Sequence, residues 1–164
     1  MILRCTGRLL DLLGRRDLTL VDDRPSGADW YANLLWIDRR KCLLLTHAGT
    51  LFPVFAADVR KRDLRSPGPF VVAQIRASLA DERLPAGALG ELDADDVRLA
   101  KMASRSVLGF MNDSALACRD SVEHAGGLAH TDPDDLNRLL RRQLHNRGGY
   151  HQPLDLVLEH LSAG

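Results

Sequence analysis

The apolar positions crowd most densely between Trp30 and Phe55, in the run WYANLLWIDRRKCLLLTHAGTLFPVF. Over 31–37, Ala32, Leu34 and Trp36 fall to one side, and Tyr31, Asn33, Leu35 and Ile37 to the other, which is the period-two pattern of a strand. Over 41–47 the pattern repeats, with Cys42, Leu44 and Thr46 opposite Leu43, Leu45 and His47. Both sides are largely apolar, so these strands are expected inside a sheet that is covered on both faces or closed on itself. Asp38-Arg39-Arg40 between them is short and polar, as a tight hairpin connection requires. Ala48-Gly49 turns the chain into a third segment, 50–55, where Pro53 predicts an edge or bulged strand.

The pattern on either side of this meander alternates strands with helices. Residues 2–6 form a strand candidate, and Thr6 can cap a helix over 7–13 whose stripe is Leu9, Leu10, Leu12 and Leu13, with Gly14 as its stop. A short strand at 18–21 precedes a loop at 22–29. Ser66 and Pro67 open a helix reaching 83, with Val72, Ile75 and Leu79 inward. An acidic connector leads to 97–102, which fits either a strand or a helix, with the strand favoured. Ser104 caps a helix over 105–124, where Val107, Met111, Ala115, Cys118 and Val122 keep helical spacing, although Gly109 and Asn112-Asp113 inside it are poor helix formers. Further helices are expected at 133–145, with Leu136, Leu139, Leu140 and Leu144 inward, and at 153–161. No repeat or linker divides the chain. The expectation is one α+β domain over 1–164: a mainly antiparallel sheet built on the central meander, joined by strands near 1–6 and 97–102, with helices packed against it.

Composition narrows the classes. Of 164 residues, 45% are hydrophobic and 27% charged, a balance that supports a packed core and excludes a disordered chain. Lys+Arg and Asp+Glu both total 22, which argues against coating nucleic acid by bulk charge but leaves room for a local basic patch. Cys5, Cys42 and Cys118 lie far apart in apolar stretches, as buried free thiols of a reducing compartment do. No apolar run approaches the roughly 18 residues needed to span a bilayer, and no leader pattern opens the chain. A cytoplasmic location without membrane contact is therefore expected. The abundance of Arg, Leu, Ala and Asp suggests a GC-rich bacterial genome.

The candidate chemistry centres on Ser104-Arg105-Ser106-Val107-Leu108-Gly109-Phe110-Met111-Asn112-Asp113. Arg105 and Ser106 fall in a first helical turn, where free N–H groups favour an anion, and Arg105 adds a bidentate fork. Gly109 would admit a ligand or a second backbone. The alternative is structural: Arg105 pairs with an acidic neighbour, Gly109 permits tight helix–sheet packing, and Asn112-Asp113 kink the helix. His47, with Thr46, Thr50 or Ser106 nearby and Asp113 to orient it, could be a general base, yet no Gly-x-Ser-x-Gly elbow accompanies it. Cys118, His124 and His130 fit no zinc spacing, so no metal or cofactor is expected. Arg138, Arg141, Arg142 and Arg147, with His145, form a basic cluster, suited to phosphates or else an ordinary solvated face partnered by Asp134 and Asp135. Trp30, Tyr31 and Trp36 could stack bases if exposed, but alternation assigns Trp36 to the core.

Three pieces of the chain together resemble a bacterial family of uncharacterised stand-alone domains of about this length. They are Met1-Ile2-Leu3-Arg4-Cys5-Thr6 with Leu9-Leu10, the block Trp30-Tyr31-Ala32-Asn33-Leu34 leading to Thr50-Leu51, and the motif Arg105-Ser106-Val107-Leu108-Gly109-Phe110-Met111-Asn112-Asp113. The family pattern has Asn before the Arg and a small polar residue before the Met, where this chain has Ser104 and Phe110. The resemblance implies a bacterial, cytoplasmic α+β protein and brings no activity with it.

Three function classes follow. The first is a binding or interaction module, with a polar pocket where the 105–124 helix meets the strand ends, built from Arg4, Asn33, His47, Thr50, Arg105, Ser106, Asn112 and Asp113. Its partner would be a small anion, a protein carboxylate or, with less support, a nucleic-acid phosphate. The second is a small nuclease or other phosphodiesterase, with His47 as base, Arg105 stabilising charge and Asp113 orienting. That enzyme requires His47 and Arg105 in one cleft. A purely structural domain would instead show an exposed apolar patch and no polar cleft.

Overall fold

The two long alternating segments become β3 and β4 in the computed structural model, which describes residues 1–146 and 148–164. Arg147 of the basic cluster lies outside the described residues. In chain order the strands are β1 (Ile2–Cys5), β2 (Leu20–Val21), β3 (Trp30–Ile37), β4 (Arg40–His47), β5 (Pro53–Ala56), β6 (Arg98–Lys101), β7 (His145–Asn146) and β8 (Tyr150–His151). The α-helices are α1 (Gly7–Leu12), α2 (Lys61–Arg65), α3 (Pro67–Asp81), α4 (Arg105–His124), α5 (Pro133–Arg142) and α6 (Pro153–Ala163). The ambiguous 97–102 segment is a strand, and Pro53 stands on an edge strand, where its missing N–H costs no ladder bond.

The main sheet runs β2-β6-β1-β3-β4-β5. β3, β4 and β5 pair antiparallel, as the meander predicts. β1 pairs parallel with both β3 and β6, and β2 parallel with β6. The sheet is therefore mixed, and the expectation of a mainly antiparallel sheet is corrected. The reason lies in the connections: the chain between β1 and β3 contains α1, and that between β5 and β6 contains α2 and α3, and helical crossovers deliver parallel strands.

Both faces of the sheet are covered. On one, Trp30, Ala32, Leu34, Leu43, Leu45 and Val54 pack with Leu9 and Leu10 of α1, Val72, Ile75 and Leu79 of α3, and Val157 of α6. On the other, Tyr31, Leu35, Ile37, Cys42, Leu44 and Phe55 pack with Val107, Met111, Ala115, Cys118 and Val122 of α4 and with Leu136 and Leu140 of α5. Trp30 and Tyr31 are core residues, so they offer no stacking platform. Trp36 departs from its expected place: it is 47% exposed, with Lys41 Nζ 5.1 Å above its ring, and lies outside the apolar cluster of its face, while Ile37 beside it stays buried on the other. The 133–145 helix ends early, at Arg142, which leaves Leu144 beyond it and exposed; Leu139, inside the helix, is exposed too, while Leu136 and Leu140 face inward.

The basic cluster has a structural job. Arg138, Arg141 and Arg142 of α5 reach Asp81 and Glu82 at the end of α3. Arg142 grips Glu82 with two bonds of 2.8 and 2.7 Å. Arg141 is only 1% exposed, bonded at 3.2 Å to Asp81 and 3.1 Å to Glu82, with its guanidinium 4.9 Å from the Phe52 ring. Hydrogen bonds from Arg138 and Arg142 hold the Asp81 and Glu82 carboxyls below their usual range. The phosphate reading of these arginines is corrected, and so is their expected pairing: the main partners come from α3, and only Asp135 contributes from within α5.

Two stability outcomes follow. Asp38 and Arg39 occupy the hairpin turn with φ of 50° and 61°, a type I′ geometry in which Arg39 has the less tolerant side chain. Arg39→Gly is expected to raise unfolding stability by about 0.5–1 kcal/mol in urea titrations. Arg141→Met, which breaks a buried charge network, is expected to cost about 3 kcal/mol in the same titrations, and the exposed Arg138→Ala clearly less.

Candidate functional site

The eight candidate residues do not form one pocket. Arg4 is 3% exposed, and each of its three guanidinium nitrogens donates a hydrogen bond. Its Nε donates to Asp29 Oδ2 at 2.5 Å, Nη2 to the Asp23 carbonyl at 2.7 Å and Nη1 to the Lys101 carbonyl at 3.4 Å. Asp29 also accepts the Ser26 backbone N–H at 3.0 Å. A buried arginine needs internal acceptors, and those of Arg4 pin the 22–29 loop to β1. Asn33 likewise serves the scaffold, accepting the Thr6 hydroxyl at 3.3 Å.

His47 ends β4 directly opposite Trp30, with ring centroids 5.3 Å apart, and so belongs to the α1/α3/α6 face. Its Nδ1 accepts the Thr50 backbone N–H at 3.3 Å and lies 3.0 Å from the Thr50 hydroxyl. That hydroxyl already accepts the Phe52 N–H, so its proton is free for Nδ1, and the ring carries its own proton on Nε2. Burial pushes the His47 pKa down to about 4. His47 and Thr50 line a groove of about 690 Å³ whose outer wall is Leu156, Glu159 and His160 of α6.

Arg105 starts α4, which covers the opposite face of the sheet. The single cleft that a His47–Arg105 enzyme needs is therefore absent. Arg105 is exposed, and the adjoining helix end is already served by Ser104, whose hydroxyl accepts the Val107 N–H at 3.3 Å. Asn112 is exposed as well. Gly109 faces open space, with no atom within 4 Å of where a Cβ would stand, so tight helix–sheet packing does not explain it.

Ser106 and Asp113 do converge. With Phe110 they occupy i, i+4 and i+7 on α4, one face of the helix. Together with Leu51, His145 and Asn146 they line a cleft of about 210 Å³. The His145 ring meets Phe110 edge-on at 4.4 Å between centroids. Its Nε2 is buried and has no hydrogen-bond partner among the described residues. Burial lowers the His145 pKa, while the nearby Asp113 carboxylate opposes the shift. Leu51 is held at φ 56° by a turn in which its N–H donates to the His47 carbonyl at 2.8 Å. That turn places Thr50 in the groove and Leu51 in the cleft.

Sequence reasoning missed His145 as a site residue because helical spacing counted it with the arginines. The available signal was its position beside the Asn146-to-Gly149 break, where a side chain leaves the helix face. Its meeting with Asp113 is a tertiary fact. Among the described residues, no group of three or more His, Cys, Asp or Glu is placed to hold a metal ion, and no helix is long and apolar enough to cross a membrane.

Residues 2–156 match the family model described as a domain of unknown function, DUF6933, and the chain belongs to that family. No curated protein and no solved structure matches it significantly. The six described residues that line the smaller cleft lie within the matched region, whereas Glu159 and His160 of the larger groove lie beyond it.

The buried imidazole predicts a pH response. The folded-state pKa of His47, about 4, lies below the roughly 6.5 of a free histidine, so the unfolded chain binds this proton more readily. Stability is expected to fall as pH drops from about 6.5 to about 4, by roughly 3 kcal/mol from this group. Guanidinium titrations at stepped pH should show that slope in the wild type and a shallower one in His47→Gln; equal slopes would remove His47 as the cause.

Proposed function

We propose that this member of the family is a binding module, and that its ligand is held in the cleft between α4 and the β7–β8 ribbon. The observation that carries this reading is the cleft that Ser106 and Asp113 of the distinctive motif share with His145, whose buried Nε2 has no hydrogen-bond partner among the described residues. Buried polar atoms in folded proteins are nearly always paired, so an orphan beside a cavity marks a place where a ligand or ordered water completes the bonding. The site residues under this reading are Ser106, Phe110, Asp113, His145 and Asn146. Arg4 and Asn33 are better understood as scaffold, and Arg105 and Asn112 as surface. The anionic ligand favoured by motif spacing loses its support, because Arg105 does not line the cleft and Ser104 caps the helix end. Three buried free thiols fit a bacterial cytoplasm as the setting.

A fragment library titrated into labelled protein tests the reading by amide chemical shifts. Shifts clustered at residues 106–113 and 145–146, lost in Asp113→Leu, are expected. Shifts confined to the groove beside α6, or none at all, would reject this cleft as the site.

A further inference from the structure

The charge and chemistry of the cleft walls go further than a generic polar ligand. Asp113 supplies a carboxylate, Ser106 a hydroxyl, Asn146 an amide and Phe110 an aromatic ring, and no lysine or arginine lines the cleft among the described residues. His145 stands edge-on to Phe110, and its buried Nε2 lacks a partner among the described residues. An anion in this space would face the Asp113 carboxylate without a compensating described cation. An ammonium group would find a carboxylate for a charge-assisted bond, neutral oxygens or nitrogen for its remaining protons, and a ring for cation–π attraction. A volume of about 210 Å³ is smaller than a drug-sized pocket and suits a head group with a few methylenes.

We infer that the cleft between α4 and the β7–β8 ribbon recognises a primary alkylammonium group, through Asp113, Ser106 and His145 with Phe110 as the aromatic wall. This rests on the binding-module reading of the same cleft. The group belongs either to a free alkylamine or to a lysine side chain of a partner protein, and both present the same head.

The test titrates n-butylammonium, Nα-acetyl-lysine methylamide, n-butanol and acetate into labelled full-length protein, following amide shifts. Saturable shifts at residues 110–113 and 145–146 are expected with the two ammonium probes and not with n-butanol or acetate. Tighter binding of the lysine derivative would assign the head to a protein side chain, and tighter binding of n-butylammonium to a free amine. Asp113→Asn, at an exposed position that leaves the core intact, should weaken the ammonium probes about tenfold. Phe110→Leu should weaken them about threefold, the scale of a weak cation–π contact. Arg105→Ala should change nothing. Acetate or n-butanol binding in the cleft while the ammonium probes fail would overturn the cation and leave the binding module standing. Silence at the cleft from every probe and from the fragment library would overturn both.

Discussion

A hairpin apolar on both faces cannot be left half-solvated, and the rest of the molecule answers that constraint. Each large apolar side chain of β3 and β4 is worth about 1.5–3 kcal/mol when fully buried, so neither face can remain open to water. α1, α3 and α6 close one side, and α4 and α5 the other. This double cover also decides what can meet. A side chain on His47's face and one on α4 are separated by the sheet itself, however close their types make them look as a catalytic pair. The same alternation that stabilises the core thus dismantles the most tempting enzyme hypothesis.

The arginines show why charge is a poor guide to ligand contact until burial is known. Arg4 and Arg141 are among the most buried polar residues of the chain, and each bonds to acceptors that lie far away in sequence, Arg4 to a carboxylate and two carbonyls and Arg141 to two carboxylates. Such pairs add little net stability over an apolar replacement, because desolvation offsets most of the Coulombic gain. Their effect is to fix relationships. Arg4 ties the 22–29 loop to β1 and β6, and the Arg141 network sets α5 against the end of α3. Arg105, with the same fork and an inviting helix start, is simply exposed.

The turn from His47 to Phe52 joins the two cavities. A bulky residue with left-handed backbone is uncommon, and Leu51 keeps that conformation because its side chain is buried in the second core while its N–H bonds to His47. Its neighbour Thr50 reaches the groove on the opposite side.

Local pattern determined much of this protein. Alternation placed β3 and β4 with their faces correctly sorted, because period-two burial is a property of each strand alone. Helical spacing and the Ser104 cap located α4, and the spacing of its motif put Ser106 and Asp113 on one helix face. Direction and neighbourhood were decided only in three dimensions. Nothing local tells β1 to lie between β3 and β6: α1 follows it at once, but which strands end up beside it is a long-range choice. The partners of Arg4 and Arg141 were hidden for the same reason. So was the arrival of His145 beside Asp113, which needs α5 to end early and the ribbon after it to fold back over α4. The sequence by itself made a two-faced sheet and a polar motif; the tertiary structure chose which histidine that motif would meet.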